Sequence, residues 1–573
     1  MATLPVRELG KVGVLPDSNP YNIPLNGFSD ANNVVFREGN ITRSPVYKQL
    51  YPAIRSTKTW ASFGSNTWDA TATNITFENA EGDPSNTARF VGSYADPVNG
   101  ESVFVCDKDG TVRAYPQGIL QVVTPATGTL VTNEESWAHA QVAGLSILSR
   151  TGMVPYARNL LSDTTYKSLG TSNWGATTTC SIMRAYNDFF VALNVTKGST
   201  SYPTMVKWCD PVQYSSAVSA LDWDATSTTN SAGENVLGEM TSPIRDGLKL
   251  GTQFIIYSAD QVWIMEYTGS SLVFNFRRLF STGGILGTNC VVEVEGKHFV
   301  FGVDDIYVHD GATKKSIADN RVRRAIFKNI DTNKTKNFFV VHDPVGSLIY
   351  FCYYTKQNEV NFANTTFCNR AAIYNYREDN WSFMDLPNVV GGAEANVTLN
   401  AINFPTVLGT YDSYNNSYLA FDVNTAKFPV MLGVTDSNHG LTESRVYALD
   451  LPMIGAVNLQ VHPETIRPAY VARAGIDLDE MQVGLRGYKY INSMVPQCEF
   501  DVSYGLFNFK IGSTDLAGGP VVYSTSYDYK PKEDYIINAR ASGRYLAYQV
   551  TIDLADNFRF SGFDLDVRSF SRR

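Results

Sequence analysis

Asp304-Asp305, Glu378-Asp379 and Asp479-Glu480 each set two carboxylates side by side, the raw material for acid–base work on a glycosidic bond. That chemistry needs one carboxyl held protonated and a second held ionised on the other side of the scissile bond. All three pairs fall in polar, turn-like clusters, where solvated turn residues account for them. No nucleophile elbow, phosphate-binding loop or dinucleotide-binding glycine pattern is present. The seven cysteines (Cys106, Cys180, Cys209, Cys290, Cys352, Cys368 and Cys498) are scattered, never in a C-x-x-C pair, and read as small buried hydrophobes. The six histidines form no H-x-H or H-E-x-x-H spacing, so neither a metal site nor a cofactor is expected. Trp60, Trp68, Trp263 and Trp381 could stack on sugars, although core packing is the simpler use for them. The expectation is a chain that is not an enzyme.

The residues with the clearest shared placement are cationic. In ADNRVRRAIFKNI, Val322, Ile326 and Ile330 recur at the spacing of one helix face, with Asp319 or Asn320 available as the cap. The other face carries Arg321, Arg324 and Lys328, with Arg323 nearby. Two readings stay open: a solvated face, or an interface docked on an acidic neighbouring surface.

The elements that must position these residues are strands. Tyr 32, Phe 31 and Gly 43, with abundant Thr, Ser, Val and Asn, favour strands and turns. Only 18% of residues are charged, against roughly 25% in ordinary soluble domains, which suits extensive protein–protein contact. The formal net charge of −9 argues against a nucleic-acid clamp, which needs a basic footprint. No window resembles a membrane span, and the first residues lack the basic start and apolar core of a signal peptide. Apolar runs divided by turn residues recur in SVFVCDKDGTVRAYP, FIIYSADQVWIMEY, HFVFGVDDIYVHDG, FFVVHDPVGSLIYFCYY and AAIYNYREDNWSFMDLP. Their spacing approaches the roughly 40–50-residue period of propeller blades.

The expected fold is therefore all-β, a β-propeller with inserted or appended small β domains and very little helix. Residues 1–50 form an N-terminal arm and a hairpin turning at Glu38-Gly39-Asn40. Residues 51–440 form the propeller body, with a Ser/Thr/Gly-rich, loop-rich insertion around 130–250. Residues 441–540 make a small β module, and 541–573 a half-buried hairpin that closes the propeller by meeting the N-terminal hairpin.

The order of motifs resembles a known family. GFSDANNVVFREGN near the N-terminus is similar to the opening of tail nozzle and hub proteins of short-tailed bacteriophages, of the tail tubular protein B or packaged-DNA stabilisation type. FIIYSADQVWIMEYTGSSLVFNFRRLFSTGGILG, GKHFVFGVDDIYVHDGATKKSIADNRVRRAIF and AAIYNYREDNWSFMDLP follow in the family's order, and the closing GRYLAYQVTIDLADNFRFSGFDLDVRSFSRR also fits. The resemblance covers about a third of the chain and implies a structural virion protein made in the host bacterial cytoplasm and used in the virion tail. It further implies a homo-oligomer, a hexameric ring that docks to the tail adaptor and to fibres or spikes. Such a ring retains packaged double-stranded DNA and conducts it without tight binding. The family offers no catalytic residues to carry over. The alternative function is a glycan-cleaving or carbohydrate-binding propeller, although the S-x-D-x-G-x-T-W box of sialidase propellers is absent.

Overall fold

Strands with both faces apolar dominate the chain, and they can be buried only if every sheet is covered on both sides. The computed structural model describes residues 2–570 except 51–87, 98–99, 117–119, 126–131, 215, 271, 358–359, 397–426, 442, 450–462, 479–486, 501–504, 517 and 554–556. The protein is all-β: its described α-helix is the short Arg323–Phe327 segment, beside a few 3-10 turns.

Five four-stranded antiparallel meanders follow one another. Sheet 1 begins with Ala88–Asp96, sheet 2 with Trp137–Val142, sheet 3 with Thr178–Tyr186, sheet 4 with Ile244–Leu250 and sheet 5 with Val291–Val294. A seven-stranded sheet then bends into two. Its first part, sheet 6, holds Phe339–Asp343, Leu348–Tyr353, Cys368–Asn375 and the start of the long strand Asn380–Ala395. Its second part, sheet 7, holds the rest of that strand with Phe428–Gly433, Arg445–Ala448 and, outermost, Lys48–Gln49. The bend falls at Leu386-Pro387-Asn388. Pro387 cannot donate to a ladder, Asn388 has φ of +52°, and its side-chain NH₂ donates to the carbonyls of Val434 and Thr435. The strand Asn380–Ala395 runs on through Pro387 and so serves two sheets.

Side-chain alternation stacks these sheets in a ring. On strand Gly100–Asp107, Val103 and Val105 join Val430 and Leu432 of sheet 7, while Phe104 and Cys106 join Trp137 and Leu148 of sheet 2. On Phe189–Lys197, Phe190 and Ala192 face sheet 2, and Val191 and Leu193 face sheet 4. Each first strand lies beside the first strand of the next sheet, and Asn380–Ala395 lies beside both Phe339–Asp343 and Ala88–Asp96. The circle is thus complete from sheet 1 through sheet 7 and back. Each fully buried Val, Leu or Phe contributes about 1.5–3 kcal/mol.

The chain ends build a second body. The hairpin Val34–Arg37 and Asn40–Arg43 forms as expected, with positive φ at Glu38 (52°) and Gly39 (70°), the signature of a type I′ turn. It pairs with the last strand, Phe558–Phe570, in register Ile41↔Phe560. Ala2–Val6 and Tyr488–Phe500 flank that strand. A second terminal sheet contains Phe507–Thr514, Tyr545–Ile552, Ala469–Ile476 and Asp30–Asn32. Aromatic rings join the two sheets: Tyr548 meets Phe563 edge-on at 5.0 Å, and Phe560 meets Phe509 at 5.9 Å.

Four expectations about boundaries change. The final segment is not a hairpin: Tyr545–Ile552 and Phe558–Phe570 belong to different sheets, because each is apolar on a face that the other covers. The termini do meet, but the ring is closed by Lys48–Gln49 on Arg445–Ala448. Residues 441–540 are not a separate module, since Arg445–Ala448 belongs to sheet 7 and the strands after Ala469 pair with both chain ends. Within 130–250, regular strands of sheets 2 to 4 replace the expected loops, because Thr is a good strand former. Ser/Thr-rich connections remain at 160–166, 169–177 and 209–232.

Candidate functional site

The cationic cluster sits where sheet 5 passes to sheet 6. Its helix is shorter than its apolar spacing predicts, and neither Asp319 nor Asn320 caps it. The Asp17 carboxylate, from the N-terminal segment, instead accepts the backbone N–H groups of Arg324 (2.5 Å) and Ala325 (2.8 Å). Val322 and Ile326 are buried as expected. The four cations divide. Arg321 grips Asp379 with both terminal nitrogens, at 2.7 and 2.9 Å. Burial raises the Asp379 carboxyl, but the Arg321 and Tyr374 bonds outweigh it and hold that carboxyl below its ordinary range. Arg323 donates to the Asp304 carbonyl at 2.9 Å and lies 3.6 Å from the Asp319 carboxylate. Arg324 and Lys328 are exposed and make no ion pair among the described residues. Together with Val303, Phe327 and Ile330 they line an open groove of about 580 Å3.

The described paired carboxylates sit in turns and joints between elements. Asp304 is 78% exposed at its side chain. Burial raises the neighbouring Asp305 carboxyl, against a 2.9 Å bond donated by Ser316. Glu378 accepts the backbone N–H of Glu38 at 2.8 Å, so it ties a turn to the N-terminal hairpin. Asp479 and Glu480 lie outside the described residues, as do Trp60 and Trp68. Trp263 and Trp381 are buried and donate to Gln261 and to the Ile317 carbonyl. Cys106, Cys180, Cys209, Cys290, Cys352 and Cys368 are buried, Cys498 partly so, and burial pushes their thiols up. Among the described residues no group of His, Cys, Asp or Glu is placed to hold a metal ion, and no helix is long and apolar enough to cross a membrane.

Two polar sites escaped the sequence reading. The first lies at the centre of the ring. Arg184 of sheet 3 holds Asp246 of sheet 4 through two 2.9 Å bonds and donates to Asn289 at 2.8 Å. Asn289 donates its backbone N–H to Asp246 (2.7 Å) and its side-chain NH₂ to the Trp137 carbonyl of sheet 2 (2.9 Å). Its own carbonyl accepts from Val340 of sheet 6 at 2.8 Å. One residue therefore touches sheets 2, 4 and 6, which no lumen wide enough for a duplex permits. Asp246 is fully buried, and only a complete set of donors makes a buried carboxylate tolerable.

The second site joins ring to termini. Buried Asp385, in NWSFMDLP, accepts the side-chain NH₂ groups of Asn32 (2.8 Å), Asn33 (2.8 Å) and Asn361 (2.6 Å) on one oxygen. Its backbone N–H donates to Asn33 at 2.9 Å, and its carbonyl accepts from Tyr47 at 2.7 Å. The polar start of the chain, DANN, is thus the half of a seam whose other half is 350 residues away. No spacing within a single segment signals such a pairing.

No family model matches the chain, and no curated protein matches it in sequence. Among solved structures it is similar to the computationally designed Ika8 protein, with TM-score 0.32 and 6% identity over 64% of this chain and 96% of that one. It is also similar to PorZ, an essential bacterial surface component of the type-IX secretion system of Porphyromonas gingivalis, with TM-score 0.34 and 10% identity. That match covers 68% of this chain and 42% of PorZ. Likenesses this distant carry no argument about what the chain does.

Proposed function

We propose that the chain is a structural subunit of the tail of a short-tailed bacteriophage, part of the distal nozzle that retains packaged DNA and conducts it during ejection. In this reading the seven ring sheets are blades of a β-propeller, and copies assemble into a closed ring, a hexamer in the family, between the adaptor and the fibres or spikes. The observation that carries it is the seam at Asp385. The N-terminal and central stretches on which the family resemblance rests meet there in one buried hydrogen-bond cluster, and the third stretch pairs with the first through Ile41↔Phe560. Residues shared with a family for architectural reasons are expected to converge on such a joint. The chain's own axis is crossed by Arg184, Asp246 and Asn289, so DNA would run along an axis formed between copies. With net charge −9 per chain, that wall repels phosphate instead of gripping it. Electron microscopy of intact particles labelled for this protein tests the reading: label at the tail tip is expected, and tails without label would overturn it.

A further inference from the structure

We infer that the seam at Asp385 binds one water molecule as a fixed part of the joint between ring and termini. The inference concerns the joint itself and does not rest on the tail reading. Beside Asp385 lies a small cavity of about 10 Å3, to which three distant stretches of chain contribute. Asn33, Arg43 and Ser44 come from the N-terminal segment, and Met384 comes with Asp385 from the long ring strand. Arg467 comes from the chain just before the terminal strand Ala469–Ile476. Asn33, Arg43, Ser44, Met384 and Asp385 are all buried. A single water needs roughly 10–15 Å3 of such space, so nothing larger fits.

The hydrogen bonds at Asp385 say what kind of molecule belongs there. The carboxylate is only 2% exposed, and its Oδ2 takes all three amide bonds, from Asn32, Asn33 and Asn361. Its Oδ1 is buried and accepts no hydrogen bond among the described residues, and the same is true of the neighbouring Asn32 Oδ1. Buried carboxylate oxygens are costly to leave without a donor. Both atoms are acceptors, so their partner must be a donor. A chloride or other anion would be repelled by the carboxylate, and a metal ion would meet the Arg43 and Arg467 guanidiniums that line the same cavity. Water satisfies every constraint. It donates to Asp385 Oδ1 and accepts from a lining guanidinium, a group with five N–H donors. Buried waters ordinarily make two to four such bonds. The bound molecule thus completes the carboxylate on both oxygens and ties together the three stretches that meet at the seam.

Two measurements on the full chain test this. A high-resolution crystal structure should show one peak about 2.5–3.0 Å from Asp385 Oδ1 that refines as oxygen. In solution, a sample labelled at its methionine methyl groups should give a cross-peak between the Met384 methyl and water, with the sign of a long-lived bound molecule. Ser44→Val, which puts methyl groups into the cavity, should lose both signals; if that variant does not fold, the two wild-type measurements decide. Absent density at Oδ1, an anomalous signal there marking chloride or a metal ion, or no Met384 cross-peak would each overturn the assignment. Both signals persisting in Ser44→Val would overturn it too. None of these outcomes touches the nozzle reading, which stands or falls with the label at the tail tip.

Discussion

The ring and the terminal body are both antiparallel β, yet they are assembled on opposite principles. Sheets 1 to 5 are each made from one continuous stretch of chain, and alternate residues on one strand serve two neighbours, as Val103 and Phe104 do. The terminal sheets pair residues separated by most of the chain, such as Leu4 with Leu565. The ring therefore gains stability sheet by sheet, whereas the terminal body exists only when both ends are present. Long-range pairings of this kind must close very large loops before any contact rewards them.

The strongest way to break the comparison is to delete 545–570. This removes a central strand from each terminal sheet, with Phe560, Phe563 and Leu565. The truncated chain should be poorly soluble through its unpaired edges, with amide protection lost across 2–43 and 469–529 but kept in sheets 2 to 4. Uniform loss of protection everywhere would mean that ring and termini are one cooperative unit.

Asp246→Ala attacks the ring instead. It leaves Arg184, 13% exposed at its side chain, with its principal acceptor gone, and removes a partner of Asn289. A loss of about 3–5 kcal/mol is expected, read by denaturant melting, with the terminal sheets least affected in hydrogen exchange.

Acid should open the ring first between sheets 4 and 5. There the Tyr257 hydroxyl lies 2.7 Å from His298 Nδ1 and 2.6 Å from His309 Nε2. His298 Nε2 faces the Lys249 carbonyl, and His309 Nδ1 accepts from Gly311, so both neutral tautomers are fixed. Burial pushes His298 down to about 4 and His309 to about 3, while an unfolded histidine titrates near 6.5. The unfolded chain then binds more protons between those values. Stability is full above pH ~6.5, falls as pH drops toward about 4 to 3, and is flat below. Histidine ring NMR should show both rings unprotonated at pH 5.

The smallest expected effect is Asp385→Asn. The amide keeps one oxygen for Asn32, Asn33 and Asn361 but loses the charge that strengthens those bonds, costing about 1–2 kcal/mol. Exchange should quicken at the N-terminal hairpin and leave sheets 1 to 4 unchanged.

What could be read from the sequence follows the same division. Hairpins around Lys108-Asp109-Gly110, Ser258-Ala259-Asp260 and Asp304-Asp305 were legible, because apolar runs and turn residues lie within a dozen positions of each other. The burial of Val322 and Ile326 was legible from one helical period. The cap from Asp17, the brace at Asn289 and the seam at Asp385 were not, since each joins groups that only the folded ring brings together.

Closure of the ring by Lys48–Gln49 carries a consequence for synthesis. Gln49 leaves the ribosome early, but its partner Tyr447 follows about 400 residues later, roughly 20–80 s at ~5–20 residues per second. Throughout that interval the nascent chain holds finished sheets with an open flank on sheet 1, and the N-terminal strand has nowhere to go. A strand only two residues long is a weak template for wrong partners. Its brevity keeps the unfinished polypeptide from locking onto another copy before its own last sheet has been made.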